Sequence, residues 1–152
     1  MRKDIPELLA PAGDRERLET ALLYGADAVY LAGKGFGLRA ACGNFDEEGL
    51  REAVRLAHTQ GARAYVACNI LPRNEEIRRL PAFLELVQDA GADAVIVNHV
   101  SNVFGCVQPL EEIARVCRSQ GVPLLVDASQ SAGTLPLHLT ELGAAFIAMP
   151  GH

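Results

Sequence analysis

A run of polar side chains directly follows an apolar segment in the middle of the chain, and these side chains are the first candidates for chemistry. The apolar residues Ala94–Val97 have the composition of a buried parallel strand, and Asn98, His99, Ser101 and Asn102 come next. Because parallel α/β proteins bind ligands at the carboxyl ends of their strands, His99 is placed where a general base would act. The alternative is a solvated loop histidine without a catalytic role.

A carboxylate occupies a comparable position one strand later. Asp127 lies near the end of the predicted strand Pro123–Ala128. A carboxylate at a strand's carboxyl end can hold a pyridine nitrogen in its charged form, which makes the ring an electron sink. Asp127 is therefore interpreted either as a cofactor ligand or as a rim carboxylate that no longer binds one.

The cysteines are the next chemical groups. Cys42, Cys68 and Cys106 fall at or after the carboxyl ends of predicted strands, which is compatible with a soft metal site. The alternative is that they are small buried or loop thiols, and on that basis we predict that the chain holds no metal. No two cysteines have C-x-x-C spacing, so the thiols are expected to be reduced, as in a cytoplasmic protein.

Two segments are candidate anion sites. The turn Pro11–Asp14 opens a predicted helix, whose first backbone N–H groups can bind an anion, but it lacks G-x-G-x-x-G spacing. The glycine-rich segment Gly33–Phe45 carries Lys34 and Arg39 and is predicted to be a functional loop. Arg39 is either a clamp for an anionic substrate or an exposed loop charge.

The composition limits the class of protein. The chain has 152 residues, of which 49% are hydrophobic, and this suits one domain with a sizeable core. The net charge of −5, without a run of five like charges, argues against nucleic acid as a constitutive partner. No apolar stretch reaches the length of a membrane span, and the N-terminus is unlike a signal peptide, so neither a membrane nor secretion is expected.

A repeated unit places these residues on secondary structure. A glycine that ends a helix is followed by a small residue and a short apolar run, and the unit begins at Gly25, Gly61, Gly91, Gly121 and Gly143. The apolar runs have the composition of strands buried on both faces. A repeat of roughly thirty residues is the length of one strand with its helix.

The repeat predicts six strands that alternate with helices. The strands are Glu7–Ala10, Ala28–Ala32, Arg63–Asn69, Ala94–Val97, Pro123–Ala128 and Ala145–Met149. Helices are predicted after the N-caps Asp14 and Asp46, and at Glu75–Ala90, Pro109–Gln120 and Leu137–Leu142. Pro81 is expected to divide or kink the third helix.

The order of the strands decides how the sheet is covered. If the strands follow one another in sequence order, right-handed crossovers put every helix on one face and leave the other face open. A doubly wound order would cover both faces within one chain. We predict the sequential order, a single α/β domain over residues 1–152, and a homodimer or larger assembly that buries the open apolar face.

The first two thirds of the chain carry four motifs in one collinear series. They are E-L-L-A-P-A-G-D (Glu7–Asp14), Y-G-A-D-A-V-Y-L (Tyr24–Leu31), F-G-L-R-A-A-C-G-N-F (Phe36–Phe45) and N-I-L-P-R-N-E-E (Asn69–Glu76). With them, residues 5–97 resemble the N-terminal part of the U32 peptidase family, which includes collagenase-like peptidases and relatives in RNA hydroxylation. The resemblance implies the first half of a TIM-type barrel. The cysteine-containing signature of that family is absent here.

The last third carries motifs of a different kind. They are V-N-H-V-S-N-V-F-G-C-V-Q-P-L-E-E-I (Val97–Ile113), V-D-A-S-Q-S-A-G (Val126–Gly133) and M-P-G-H (Met149–His152). With them, residues 97–152 resemble the class V aminotransferases, the cysteine-desulfurase-like group that binds pyridoxal phosphate. The resemblance implies that Asp127 pairs with the pyridine nitrogen and that Gln130 reaches the ring hydroxyl, with Asn102 beside it. His152 would precede the lysine that forms the Schiff base.

The sequence given stops at His152, where that family continues with lysine. Without that amine no internal aldimine forms, so a site made of Asp127, Gln130, Asn102 and His152 is expected to be vestigial. We predict no catalytic residue and no bound cofactor, with pyridoxal phosphate the one cofactor that the resemblance allows.

The two resemblances meet near residues 94–98, and this junction decides the predicted function. The fold is expected to be a half-TIM-barrel-like part joined to a pyridoxal-phosphate-transferase-like βαβαβ segment. We predict an engineered or chimeric α/β scaffold without native catalytic activity, with a second copy of the chain as partner and neither nucleic acid nor membrane. One alternative is a weak pyridoxal-phosphate-binding remnant of a transferase. Another is a U32 peptidase-like hydrolase or RNA-modification fragment.

Overall fold

The structure is a computed structural model, and it describes residues 5–36, 43–69 and 74–150. Strands and helices alternate along these residues. The strands are β1 (Leu9–Pro11), β2 (Ala28–Ala32), β3 (Arg63–Ala67), β4 (Ala94–Asn98), β5 (Leu124–Asp127) and β6 (Phe146–Ala148). The helices are α1 (Arg15–Leu23), α2 (Glu47–Thr59), α3 (Asn74–Asp89), α4 (Leu110–Ser119) and α5 (Leu139–Leu142).

The two predicted N-caps begin helices α1 and α2. The carboxylate of Asp14 accepts a hydrogen bond from the backbone N–H of Arg17 at 2.9 Å, and Asp46 accepts one from Gly49 at 2.9 Å. Each bond satisfies one of the N–H groups that a helix leaves unpaired at its start. Pro81 lies inside α3, which continues through it, so the proline does not divide the helix.

The five glycines of the repeat end their helices as predicted. Their backbone φ angles are all positive, a conformation that side chains with a Cβ rarely adopt. The values are 82° at Gly25, 77° at Gly61, 79° at Gly91, 68° at Gly121 and 64° at Gly143. The prediction that each glycine turns the chain from a helix into the next strand is confirmed.

One parallel sheet holds all six strands in the order β1-β2-β3-β4-β5-β6, which confirms the predicted sequential order. The sheet curls as a half-barrel with helices on one side. Pairing is continuous on both sides of β4, where Val95 is in register with Val66 of β3 and Val97 with Val126 of β5. The segment where the two resemblances meet is therefore an ordinary interior strand.

The two faces of the sheet have different neighbours, because successive side chains of a strand point to opposite faces. One face packs on the helices, and its cluster joins strand residues such as Val29, Val95 and Val126 to the helix residues Leu50 and Ile113. The other face, named the open face from here on, has a separate cluster made only of strand residues. These are Ala28, Tyr65 and Ala94, with Ile96 and Leu125 partly buried beside them.

The open face is apolar and incompletely covered. Leu9, Tyr30 and Phe146 remain 42%, 38% and 59% exposed on it. At its amino end Tyr65 is buried beneath Glu7, whose carboxylate accepts a hydrogen bond from the Tyr65 hydroxyl at 2.7 Å and pairs with Arg63 at 3.1 Å. Within the described ranges, no helix is long and apolar enough to cross a membrane.

Candidate functional site

The carboxyl edge of the sheet brings two polar residues together on the open face. Asn98 ends β4, Asp127 ends β5, and the two are register partners. Val97 and Val126, which precede them, belong to the cluster on the helix side, so Asn98 and Asp127 fall on the opposite face. Their Cα atoms are about 4.8 Å apart, as in neighbouring strands generally. Asn98 and Asp127 are named the rim pair below.

The rim pair presents hydrogen-bond acceptors. Oδ1 of Asp127 accepts from the backbone N–H of Ser129 at 2.9 Å and from the Ser129 hydroxyl, which fixes the orientation of the carboxylate. Oδ1 of Asn98 is buried and has no hydrogen-bond partner among the described residues. A buried acceptor without a donor is costly, so an N–H donor from a ligand would be stabilising at this edge.

An apolar floor lies one layer below the rim pair. Ile96 is in register with Ala67 on one side and with Leu125 on the other, and Leu125 is in register with Phe146. Ile96 and Leu125 are only half-buried, because no helix covers this face. Together the acceptors and the floor form a shallow surface that suits a flat ring with N–H groups on its edge.

His99 points the other way, into the protein, and the interpretation of it as a solvated loop residue is wrong. It is 6% exposed, and its Nδ1 lies 2.8 Å from the hydroxyl of Ser131, which is completely buried. Burial lowers the pKa of His99, and the carboxylate of Glu111 opposes this shift only in part. His99, Glu111 and His138 line a cleft of about 380 Å³ between α4 and α5. A neutral imidazole is thus held where it could accept a proton from a ligand in that cleft.

The residues predicted to bind pyridoxal phosphate share one edge but are not joined to one another. Asp127 is half-buried at the end of β5, whereas Asn102 and Gln130 are exposed in the turns that follow β4 and β5. In the described part of the chain, neither amide makes a hydrogen bond to Asp127. His152 lies outside the described residues.

The predicted anion turn is occupied by its own aspartate. The Asp14 carboxylate caps α1 and also pairs with the Arg17 guanidinium at 3.1 Å, so negative charge already faces this helix start. An anion would be repelled there. The turn Pro11–Asp14 is therefore a structural cap, and Arg39, the other anion candidate, lies outside the described residues.

A second cleft, of about 360 Å³, opens beside the carboxyl end of β2. The rings of Phe36 and Phe83 stack in it with centroids 4.1 Å apart, and the guanidinium of Arg79 lies 5.9 Å from the Phe36 centroid. Lys34 lines it too, with a side chain 67% exposed and an ammonium group 3.6 Å from Asp46. The sequence predicted a role for Lys34 but carried no signal for Arg79, which comes from a helix 45 positions away.

The thiols of Cys68 and Cys117 are unsuited to chemistry. Both are buried, at 0% and 1% exposure. Burial raises the pKa of the Cys68 thiol strongly and that of Cys117 to about 11, so neither is a thiolate near neutral pH. The described residues contain no group of three histidine, cysteine or acidic side chains that could hold a metal ion, and Cys42 lies outside them.

The fold and these positions define the chain as a parallel α/β half-barrel whose candidate site lies at the carboxyl edge of the strands. A family model described as Peptidase family U32 matches residues 13–115, and the chain belongs to this family.

Two curated relatives reflect the two resemblances. The chain is 45% identical over 92 residues to tRNA hydroxylation protein P1 of Bacillus subtilis, covering 60% of this chain and 22% of that protein. It is also 40% identical over 72 residues to a probable cysteine desulfurase of Methanothermobacter thermautotrophicus, covering 47% of this chain and 18% of the other. The chain thus spans about a fifth of the length of the curated relatives that it matches.

Among solved structures, oxaloacetate acetylhydrolase shares the fold with a TM-score of 0.65 at 14% identity, over 96% of this chain and 59% of that one. At that identity the likeness concerns the fold alone.

The prediction of an engineered or chimeric scaffold without native activity is wrong. The chain belongs to a natural family, and its relatives include a tRNA hydroxylation protein. The error came from treating the change of resemblance near residues 94–98 as an artificial joint. In the structure that segment is β4, paired in register on both sides.

Proposed function

We propose that the chain is part of an RNA-modification enzyme of the U32 type and that tRNA is its substrate class. The observation that carries the proposal is the 45% identity over 92 residues with a tRNA hydroxylation protein. This replaces the expectation that nucleic acid is not a partner. Since the chain spans about a fifth of that relative, we propose that it supplies a binding surface rather than a whole catalytic centre.

The charge at the carboxyl edge supports contact with a phosphate backbone. Lys34 and Arg79 both line the cleft beside β2, and both are exposed. The ion pair between Lys34 and Asp46 is solvent-exposed at 3.6 Å, so it holds the ammonium group only weakly. Exposed cations of this kind can contact a phosphate backbone, whereas the Phe36 and Phe83 rings are buried and offer no platform to a base. Asp46 and Glu47 line the same cleft, so the attraction comes from the two cations individually and not from a net positive charge.

The geometry gives less support to peptide hydrolysis, the other activity suggested by the family description. Ser131 forms a hydrogen bond with His99, as in a serine–histidine pair, but its hydroxyl is completely buried and no peptide can reach it. The thiols of Cys68 and Cys117 are buried and protonated. Among the described residues, these groups lack the access that a nucleophile needs.

Pyridoxal phosphate is a second candidate ligand, favoured by the identity with a probable cysteine desulfurase. The donor set fits the ring nitrogen, because Asp127 uses only Oδ1 for its hydrogen bonds with Ser129. Gln130 and Asn102 lie in exposed turns at the same edge, and the resemblance to class V aminotransferases assigns Gln130 to the ring hydroxyl and Asn102 beside it. When bound there, the cofactor would supply an electron sink.

The RNA proposal is tested by measuring the binding of unmodified tRNA to the full chain. Fluorescence anisotropy gives the dissociation constant at several salt concentrations. The double variant Lys34→Ala/Arg79→Ala should weaken tRNA binding about tenfold. The slope of log affinity against log salt concentration should also become less steep, by about one to two units, because fewer counterions are released. A matched control removes two exposed arginines far from the cleft, Arg55→Ala/Arg115→Ala, and should change the affinity little.

Two results would contradict the proposal. One is the absence of tRNA binding at low salt, and the other is an equal loss of affinity in the control double variant. A direct readout of activity is the nucleoside composition of tRNA from a host that lacks its own tRNA hydroxylation protein and expresses this chain.

A further inference from the structure

We infer that the rim pair is a binding site for one unpaired nucleobase, which lies flat on the apolar floor and donates an N–H group to Oδ1 of Asn98. The inference rests on the proposed function, since it names the part of the RNA that the carboxyl edge receives. The observation that carries it is the buried Asn98 oxygen without a donor.

Among the described residues, no group donates a hydrogen bond to Oδ1 of Asn98. Its register partner on β5 is Asp127, which at neutral pH is an acceptor only. On β3 the register places Asn69 beside it, but no hydrogen bond joins that amide to Oδ1. Its open-face neighbours in the layer below are Ile96 and Leu125, whose side chains are apolar. A donor for Oδ1 is therefore expected from outside the described residues, and the open face is the side from which it can arrive without moving a helix.

The chemistry of the two side chains defines the class of ligand. Asn98 carries an amide, which accepts through Oδ1 and donates through Nδ2, and this pattern is complementary to base edges with one donor beside one acceptor, as in uracil, cytosine and adenine. Asp127, about 4.8 Å away, adds a second acceptor for an exocyclic amino group. The half-buried side chains of Ile96 and Leu125 lie beneath both and offer an apolar surface to the face of the ring.

A base fits this edge only when it is unstacked. The rim pair lies at the end of a curled sheet, and the floor below it is one layer of side chains deep. Lys34 follows β2, two strands from β4, and Arg79 lies on the helix that follows β3. These exposed cations can contact the phosphate backbone elsewhere on the same RNA. A base inside a duplex would keep its edge paired and could not satisfy Asn98.

The experiment compares wild type with Asn98→Leu, a variant of nearly the same shape that has no amide. Uridine and cytidine monophosphates and an eight-nucleotide pyrimidine RNA are titrated into each protein, and affinities are measured by calorimetry. Asn98→Leu should weaken nucleotide binding about three- to tenfold, the effect of losing one hydrogen bond. Asp127→Asn keeps an oxygen that can accept from Ser129. It should weaken the binding of cytidine monophosphate more than that of uridine monophosphate, because only cytosine has the exocyclic amino group.

Thermal stability separates a ligand-binding role from a structural one. If Oδ1 of Asn98 truly lacks a donor in the free protein, replacing the amide with an apolar group removes a buried unpaired atom, and the melting temperature should stay equal or rise. A large fall in melting temperature would show that Asn98 is a structural residue and would overturn the inference. The exposed residue Gln60, at the opposite end of the sheet, gives the control Gln60→Leu, with no change in affinity expected.

The outcomes separate this inference from the proposed function. If tRNA binds and Asn98→Leu binds it as tightly as wild type, the nucleobase site is wrong and the RNA function stands. If the nucleotides bind with the predicted dependence on Asn98 but tRNA does not bind, the site stands and the tRNA proposal fails. Tighter binding of pyridoxal phosphate than of any nucleotide, with the same dependence on Asn98, would overturn the nucleobase assignment.

Discussion

The imidazole of His99 and the hydroxyl of Ser131, 32 positions apart in the sequence, meet at 2.8 Å in the interior behind the carboxyl edge. Both side chains are almost fully buried, so each is the other's replacement for water. The contact ties the loop after β4 to the loop after β5, the two loops that follow the rim pair.

Ser131→Ala should destabilise the protein by about 1–3 kcal/mol, because it leaves Nδ1 of His99 buried without its partner. Urea unfolding followed by circular dichroism measures the change. Ser119→Ala is the matched control, since the Ser119 hydroxyl is exposed and bonds only to a carbonyl of its own helix. A loss in Ser131→Ala no larger than in the control would show that the contact contributes little.

The stability of the protein should fall in mild acid because of His99. Burial lowers its pKa in the folded state below the ordinary value of 6.5, so the unfolded chain binds more protons between these two pKa values. The free energy of unfolding should therefore be fully present above about pH 7 and should decrease as the pH falls through 6.5 towards the lowered pKa.

Denaturation curves between pH 7.5 and 5, about the range over which an ordinary histidine titrates, test this expectation. His99→Gln should remove part of the decrease, whereas His138→Gln, at an exposed position of the same cleft, should retain it. Identical pH profiles for wild type and His99→Gln would contradict the assignment.

The thiols should react in an order set by burial. Cys68 and Cys117 are nearly inaccessible and their pKa values are raised, so alkylation in the native state at pH 8 should be slow and should wait for unfolding. Cys106 is partly exposed and should be modified first among the described cysteines. Mass spectrometry of iodoacetamide-treated protein, read peptide by peptide, gives the order. Fast labelling of Cys68 without denaturant would show that β3 opens locally.

Self-association through the open face remains a prediction. Leu9, Tyr30 and Phe146 are exposed on a face that parallel sheets normally cover, so light scattering at micromolar concentration should report at least twice the chain mass. Tyr30→Asp/Phe146→Asp should produce monomers. The control is Leu23→Asp, which adds a charge at an exposed apolar residue of α1, on the helix side. This variant should remain associated. A wild-type monomer that binds no hydrophobic dye would contradict the prediction.

Local pattern determined the elements of this protein. The composition of Ala28–Ala32 marked a strand with the bounds that β2 has, and the side chains of Asp14 and Asp46 marked helix starts, because capping depends on residues three positions apart. The glycines that end helices were also predictable from the sequence, because glycine adopts a positive φ more easily than any other residue. Strands and helices alternate along the chain, and right-handed crossovers between neighbouring strands place every helix on the same side of the sheet. The open face on the other side follows from this rule.

Tertiary structure alone decided which polar groups meet and which stay unpaired. Nothing in the sequence joins His99 to Ser131 or Arg79 to Phe36, because these contacts depend on how elements far apart in the chain pack together. Asn98 was visible as a polar residue after an apolar run, but whether its oxygen has a donor depends on how β4 pairs with β3 and β5. Whether a polar atom has a hydrogen-bond partner depends on all the groups around it in the folded protein, so a local sequence pattern cannot predict it.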